Sequence, residues 1–307
     1  MAESDWERYL TDYNEGLGLV YERLVLNHYL ESLVERYQVK RVLEAPIFGM
    51  AGVTGINSVR LAQLGCEVVL VDDNQQRLNA VERIWGELGL AARFVLSPAM
   101  RALPFPRDSF DLAWQWAGLW YLFNPRALLQ ELCRTSRRLV FVAMPNPRQP
   151  GYLLRKHLLQ REFFERVAER WTDVQLIRST LEGQGYRVVE EGFMDIPPWP
   201  DTVMPVAQLL RKLGIRSQRL QSRFSGDSWQ WSAMDYYLGR QPDLRQRVLR
   251  HSWLERSSLP GWLKGLWAHH RYVLAMNDRL TAESAESAEA RGGSSEASGF
   301  SAASAVR

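Results

Sequence analysis

Between residues 40 and 145 the chain alternates short apolar runs with longer stretches of helical periodicity, and this alternation constrains the fold most. The runs are "RVLEA" (41 to 45), "EVVLVD" (67 to 72), "RFVL" (93 to 96), "FDLAWQW" (110 to 116) and "RLVFVAM" (138 to 144). Such near-continuous apolar strands are buried on both faces. Between them lie "NSVRLAQLG", "NQQRLNAVERIWGELG" and "NPRALLQELCRTS", each helical in period with polar flanks. A helix after each strand returns the chain to the same edge, so the strands run parallel with helices on both faces. The expected class is therefore α/β, a doubly wound and mostly parallel sheet.

The remaining chain divides around this core. Residues 17 to 37 carry apolar residues at helical spacing and read as an amphipathic helix within an N-terminal helical lid, 1 to 39. Residues 151 to 171 and 173 to 183 read as two further helices, and "YRVVEEGFMDI" as a late strand. "PPWP" at 197 to 200 ends the cofactor-type domain, 40 to 200. Beyond it, 201 to 280 reads as a mainly helical extension, basic and rich in tryptophan, with "LWAHHRYVLAM" also helical. Residues 281 to 307 are mostly Ala, Ser, Glu and Gly, a composition too poor in apolar residues to offset its ordering entropy, so a disordered tail is expected.

Bulk charge narrows the classes of partner. Lys+Arg 38 against Asp+Glu 35 gives a net charge of +3, too small to suggest nucleic acid as the ligand of the whole chain. Two cysteines, Cys66 and Cys133, fit a reduced cytoplasmic protein and offer no metal-ligand spacing, so no metal is expected. The acidic, aromatic start "MAESDWERYL" is unlike a signal peptide, and no apolar run reaches membrane-spanning length.

The segment "VLEAPIFGMAGVTGINSVRLAQLG" (42 to 65) follows the first strand, where open parallel sheets bind their ligands. Gly49, Gly52 and Gly55 let its backbone turn sharply. The second strand ends in Asp72 and Asp73; Asp72 suits the two hydroxyls of a ribose, while Asp73 suits the cap of the next helix. No phosphate loop of the kinase or NTPase type is present.

"GVTGINSVRLAQLGCEVVLVDDNQQRL", "ALPFPRDSFDLAWQWAGLWYLFNPRALLQELCR" and "RLVFVAMPN" together resemble the class I S-adenosylmethionine-dependent methyltransferases that alkylate small molecules. The resemblance covers about residues 40 to 195. It implies a Rossmann-like sheet of seven strands, six of which are legible here, and S-adenosylmethionine as cofactor. By position it implies that the Gly52–Gly55 loop packs on the cofactor's methionine part, with Gly49 beside it. Glu44 would reach the amino group, Asp72 the ribose, and the Met100 backbone the adenine edge. The chain departs from the family in the inserted "PIFGM", in Ala99 where an acid is usual, and in "TSRR" where a glycine pair is usual.

Methyl transfer requires the acceptor to be positioned against the sulfonium carbon. No catalytic base stands out among the five histidines. Trp116, Trp120 and Tyr121, at and after the fourth strand, are the candidates for an acceptor pocket, with Tyr13 on the lid side. Trp114 shares the Trp116 side of the strand and reads as core. An aromatic pocket suits a small lipophilic or aromatic acceptor. Residues 211 to 224 hold five basic residues and no acid, and with 259 to 274 they suggest peripheral membrane contact; no RNA-binding module is recognised. The competing expectation is a non-catalytic methyltransferase-like protein that uses its tryptophan-rich extension as an interaction surface.

Overall fold

A computed structural model describes residues 6–199 and 231–278. Its centre is a seven-stranded sheet with order β3-β2-β1-β4-β5-β7-β6. The strands are β1 (Arg41–Glu44), β2 (Glu67–Asp72), β3 (Arg93–Leu96), β4 (Phe110–Trp116), β5 (Ser136–Pro145), β6 (Tyr186–Met194) and β7 (His270–Asn277). β1 to β5 pair in parallel, and β7 runs antiparallel to both neighbours. The strand order reverses between β1 and β4, which places the ligand crevice at the carboxyl ends of these two strands and of β2. All seven residues of β4 are buried, as a central strand covered on both faces requires.

Alternation along the strands sorts two cores. Val42, Leu112, Trp114, Trp116, Leu139 and Phe141 face α1 (Leu17–Tyr37), α2 (Val59–Gln63) and α3 (Gln75–Glu87). Leu43, Ala113, Val140 and Val142 face α4 (Pro125–Thr135) and α7 (Val174–Glu182). Local signals set the helix starts: Asn74 and Asn124 accept from the backbone N–H of Arg77 and Ala127, and Pro125 opens α4.

Four expectations need correction. The seventh strand lies in "HRYVLAMN", which the sequence suggested was helical. A short apolar run carries no decisive period, and here pairing with both β5 and β6 settles it. α1 has the expected bounds but is not amphipathic in its middle: Val20 through Asn27 are buried all round. It lies between the sheet and the helix Leu244–Leu249, whose Leu244 and Val248 join the same core. The single helix expected over 151 to 171 is instead broken into α5 (Pro150–Leu154), a π-turn at Arg155–Leu159, α6 (Arg161–Arg166) and a 3-10 turn at Glu169–Thr172. Asn74, not Asp73, caps α3. The basic run 211 to 224 and the tail 281 to 307 lie outside the described residues.

Candidate functional site

At the carboxyl end of β1, Glu44 is fully buried. Its oxygens accept from the Asn57 amide at 3.2 Å and the Ser58 hydroxyl at 2.6 Å. Burial pushes its carboxyl up to about 7, against the pull of those donors and of Arg23. The loop that follows is clamped from beneath by α1 and the residues before it. Val53 donates its N–H to Glu15 (3.0 Å), while its carbonyl accepts from Arg23 (3.0 Å). Glu15 and Arg23 are themselves paired at 2.5 Å, both buried, and Arg23 also donates to Asn57.

Gly49, Gly52 and Gly55 all take positive φ, which glycine alone adopts without strain. A β-carbon at Gly49 would meet the Trp116 carbonyl oxygen at 2.1 Å; at Gly52 it would meet Glu15, and at Gly55 the side chain of Val81. The glycines thus permit close packing of the loop on β4, on Glu15 and on α3.

At the tip of β2, Asp72 is also fully buried. Its carboxylate accepts from Arg77 Nε at 2.7 Å and Nη2 at 2.6 Å, and from the Asn74 N–H at 2.8 Å. Arg77 bridges to Asp73 at 2.9 Å and lies under the Phe48 ring, 4.7 Å from its centroid. Burial raises the Asp72 carboxyl to about 6, and the bidentate guanidinium only partly offsets this. Met100, also with positive φ, is buried nearby, its N–H bonded to Ser97 while Ser97 bonds the Asp72 carbonyl.

The acceptor-side candidates are not gathered in one place. Trp116 is buried on the α1 face, its Nε1 donating to Glu22 at 2.6 Å. Trp120 lies on the opposite face among Tyr121, Tyr152, Phe163 and Phe164. Tyr13 donates to Glu87 at the end of α3.

Residues 49–142 match the family model described as a methyltransferase domain. Over that stretch the chain is similar to a methyltransferase domain. A comparison with curated proteins finds no match. Among solved structures the domain is similar to the [4+2]-cyclase SpnF, at 14% identity and a TM-score of 0.45, covering 82% of this chain and 80% of that one. It is also similar to magnesium protoporphyrin IX methyltransferase from Synechocystis with bound SAH, at 15% identity, TM-score 0.45, over 57% and 78% of the two chains. A third, a SAM-dependent methyltransferase from Aquifex aeolicus, shares 18% identity, with TM-score 0.40 over 54% and 83%.

A carboxylate at each of the β1 and β2 tips and a positive-φ glycine loop between β1 and α2 would suit S-adenosylmethionine chemically. The space beside those donors is filled by protein. Arg77 covers Asp72, Phe48 covers Arg77, and Glu15 fills the space at Gly52. Sequence reasoning missed Arg77, although "DDNQQR" sets a guanidinium five residues beyond the acid it meets. It also missed Asp195 and His270, discussed below.

Proposed function

We propose that the domain transfers a methyl group from S-adenosylmethionine to a small lipophilic acceptor, and that its cleft opens to do so. The observation that carries the reading is Asp72 at the tip of β2, beside the glycine loop at the reversal of strand order. The bound cofactor supplies an electrophilic methyl on a sulfonium. Asp72 would hold the ribose hydroxyls in place of Arg77, and Glu44 would hold the amino end. The Val53 clamp holds the loop's shape while the "PIFGM" segment moves off Arg77.

The lipophilic acceptor is suggested by exposed apolar residues on the segment that leads into β7. Trp253 and Trp262 are 57% and 70% exposed, with Leu266 and Trp267 beside them in sequence. Trp267 is held by its indole N–H on the Pro197 carbonyl, two residues before His269, which abuts the end of β5. The same patch would serve for peripheral contact with a membrane through the exposed residues of 259 to 267, since Val273 and Leu274 are buried in β7. Among the described residues no helix is long and apolar enough to cross a membrane.

A non-catalytic binding role is the competing reading, and the Arg77–Asp72 pair is what speaks for it. Calorimetry with S-adenosylmethionine separates the two. Binding that Asp72→Ala abolishes is expected; no heat even at about millimolar cofactor, a free energy near −4 kcal/mol, refutes the enzyme reading.

A further inference from the structure

Glu22 on α1, Asp195 just after β6 and His270 at the start of β7 meet at the carboxyl end of β5. Each offers one ligand atom, and these atoms all lie within 4.8 Å of one another. His270 Nε2 is 3.7 Å from Glu22 Oε1, and His270 Nδ1 is 3.8 Å from Asp195 Oδ2. Both distances are too long for hydrogen bonds. Among the described residues, Asp195 Oδ1 and His270 Nδ1 are buried polar atoms with no hydrogen-bond partner. Asp195 is 2% exposed and stands at a φ of 63°, a conformation non-glycine residues seldom take.

A buried carboxylate and an imidazole, each with an unpartnered atom beside a second buried carboxylate, are costly without a further ligand. The surroundings fix these groups in a distinctive way. Trp116 donates to one oxygen of Glu22, and His269 Nδ1 lies 2.7 Å from Asp195 Oδ2. One oxygen of each carboxylate is thereby oriented by an outer partner, and the second oxygen of Asp195 is left over. Metal-ligating groups are commonly held this way.

We propose that Glu22, Asp195 and His270 bind a divalent first-row transition ion, with Trp116 and His269 orienting the two carboxylates. One nitrogen and two oxygen donors suit zinc or its neighbours better than calcium or magnesium. Zinc–ligand bonds of about 2.0–2.2 Å put donors roughly 3.4 Å apart in a tetrahedral site, so the three donors, one nitrogen of His270 among them and all within 4.8 Å of one another, close by up to about 1.4 Å on binding. The ion ties α1, the end of β6 and the start of β7 together.

Untagged full-length protein is stripped with EDTA, dialysed, and titrated with zinc chloride while heat and bound metal are measured. The expected result is one equivalent of zinc bound, with a thermal shift upward that EDTA reverses. Asp195→Asn and His270→Gln should weaken binding by roughly a hundredfold or more, and Trp116→Phe by about tenfold. Glu22→Gln keeps an oxygen for the Trp116 donor, so it is the variant expected to fold normally by circular dichroism and still lose zinc. His28→Gln, at an exposed histidine outside the cluster, should change nothing. Absence of bound zinc, or zinc retained at full affinity in folded Glu22→Gln, overturns the proposal.

Discussion

Replacing Glu44 with Gln should make the protein more stable, and by an amount that depends on pH. Glu44 is fully buried and its carboxyl is pushed from 4.5 to about 7, chiefly by loss of water. Between those values the folded state holds a proton that the unfolded chain releases. Stability from this group is therefore complete below about pH 4.5 and is lost as pH rises towards 7. The gap is worth about 3 kcal/mol at pH 8 and under about 1 kcal/mol at pH 5. Glutamine keeps the geometry: its oxygen can accept from Asn57, and its amide can donate to the Ser58 hydroxyl. Glu44→Gln should then raise Tm by roughly 6–12 °C at pH 8 and by no more than about 4 °C at pH 5. Glu22 and Glu255, also pushed to about 7 by burial, titrate in both proteins, so the difference between the two melting curves removes them. Scanning calorimetry at the two pH values is the assay. An equal loss of stability at both would mean that Glu44 is ionised when folded and that Asn57, Ser58 and Arg23 outweigh its burial, which refutes the reasoning.

Arg77→Met removes the guanidinium from Asp72, so the cofactor-free protein should lose about 3 kcal/mol in urea denaturation. The same variant should bind S-adenosylmethionine about tenfold more tightly by calorimetry, because the competing internal partner is gone. Gly49→Ala places a methyl group 2.1 Å from the Trp116 carbonyl oxygen at a φ of 133°; at least about 3 kcal/mol of stability should be lost, measured by the same denaturation. Trp116→Phe leaves Glu22 without its indole donor and should cost about 1–3 kcal/mol; an unchanged midpoint would show that this bond is not needed.

The parallel core was legible because its strands are rich in Val, Leu and Phe and alternate with stretches of helical period that have polar flanks. Local chemistry of that kind is written in neighbouring residues. β7 was not legible, since "HRYVLAMN" has no period of its own and becomes a strand only between β5 and β6. The burial of α1 depended in the same way on the helix Leu244–Leu249, more than two hundred residues further along. At the candidate site, the tip acids and glycines could be picked out from the loop pattern, but not what they touch. Arg77 reaches back to Asp72 only because α3 begins at Asn74. Trp116 and Trp120 looked like neighbours in sequence, yet the 3-10 turn at Leu119–Tyr121 carries them to opposite faces of the sheet. Glu22, Asp195 and His270 share no spacing that a linear reading could detect.

The late arrival of β7 fixes the order in which the chain can become complete. β5 and β6 are joined only through a strand whose residues come after 269, so the segment that carries the family match cannot satisfy its own sheet edge. Until that strand docks, β5 presents an unpaired apolar edge of the kind that recruits other chains. A protein cut at residue 260 would keep every glycine and acid of the candidate cofactor site, yet should aggregate rather than fold. The segment that carries β7 thus decides whether the earlier strands stay soluble, and supplying residues 261–278 as a separate peptide is the direct way to observe that dependence.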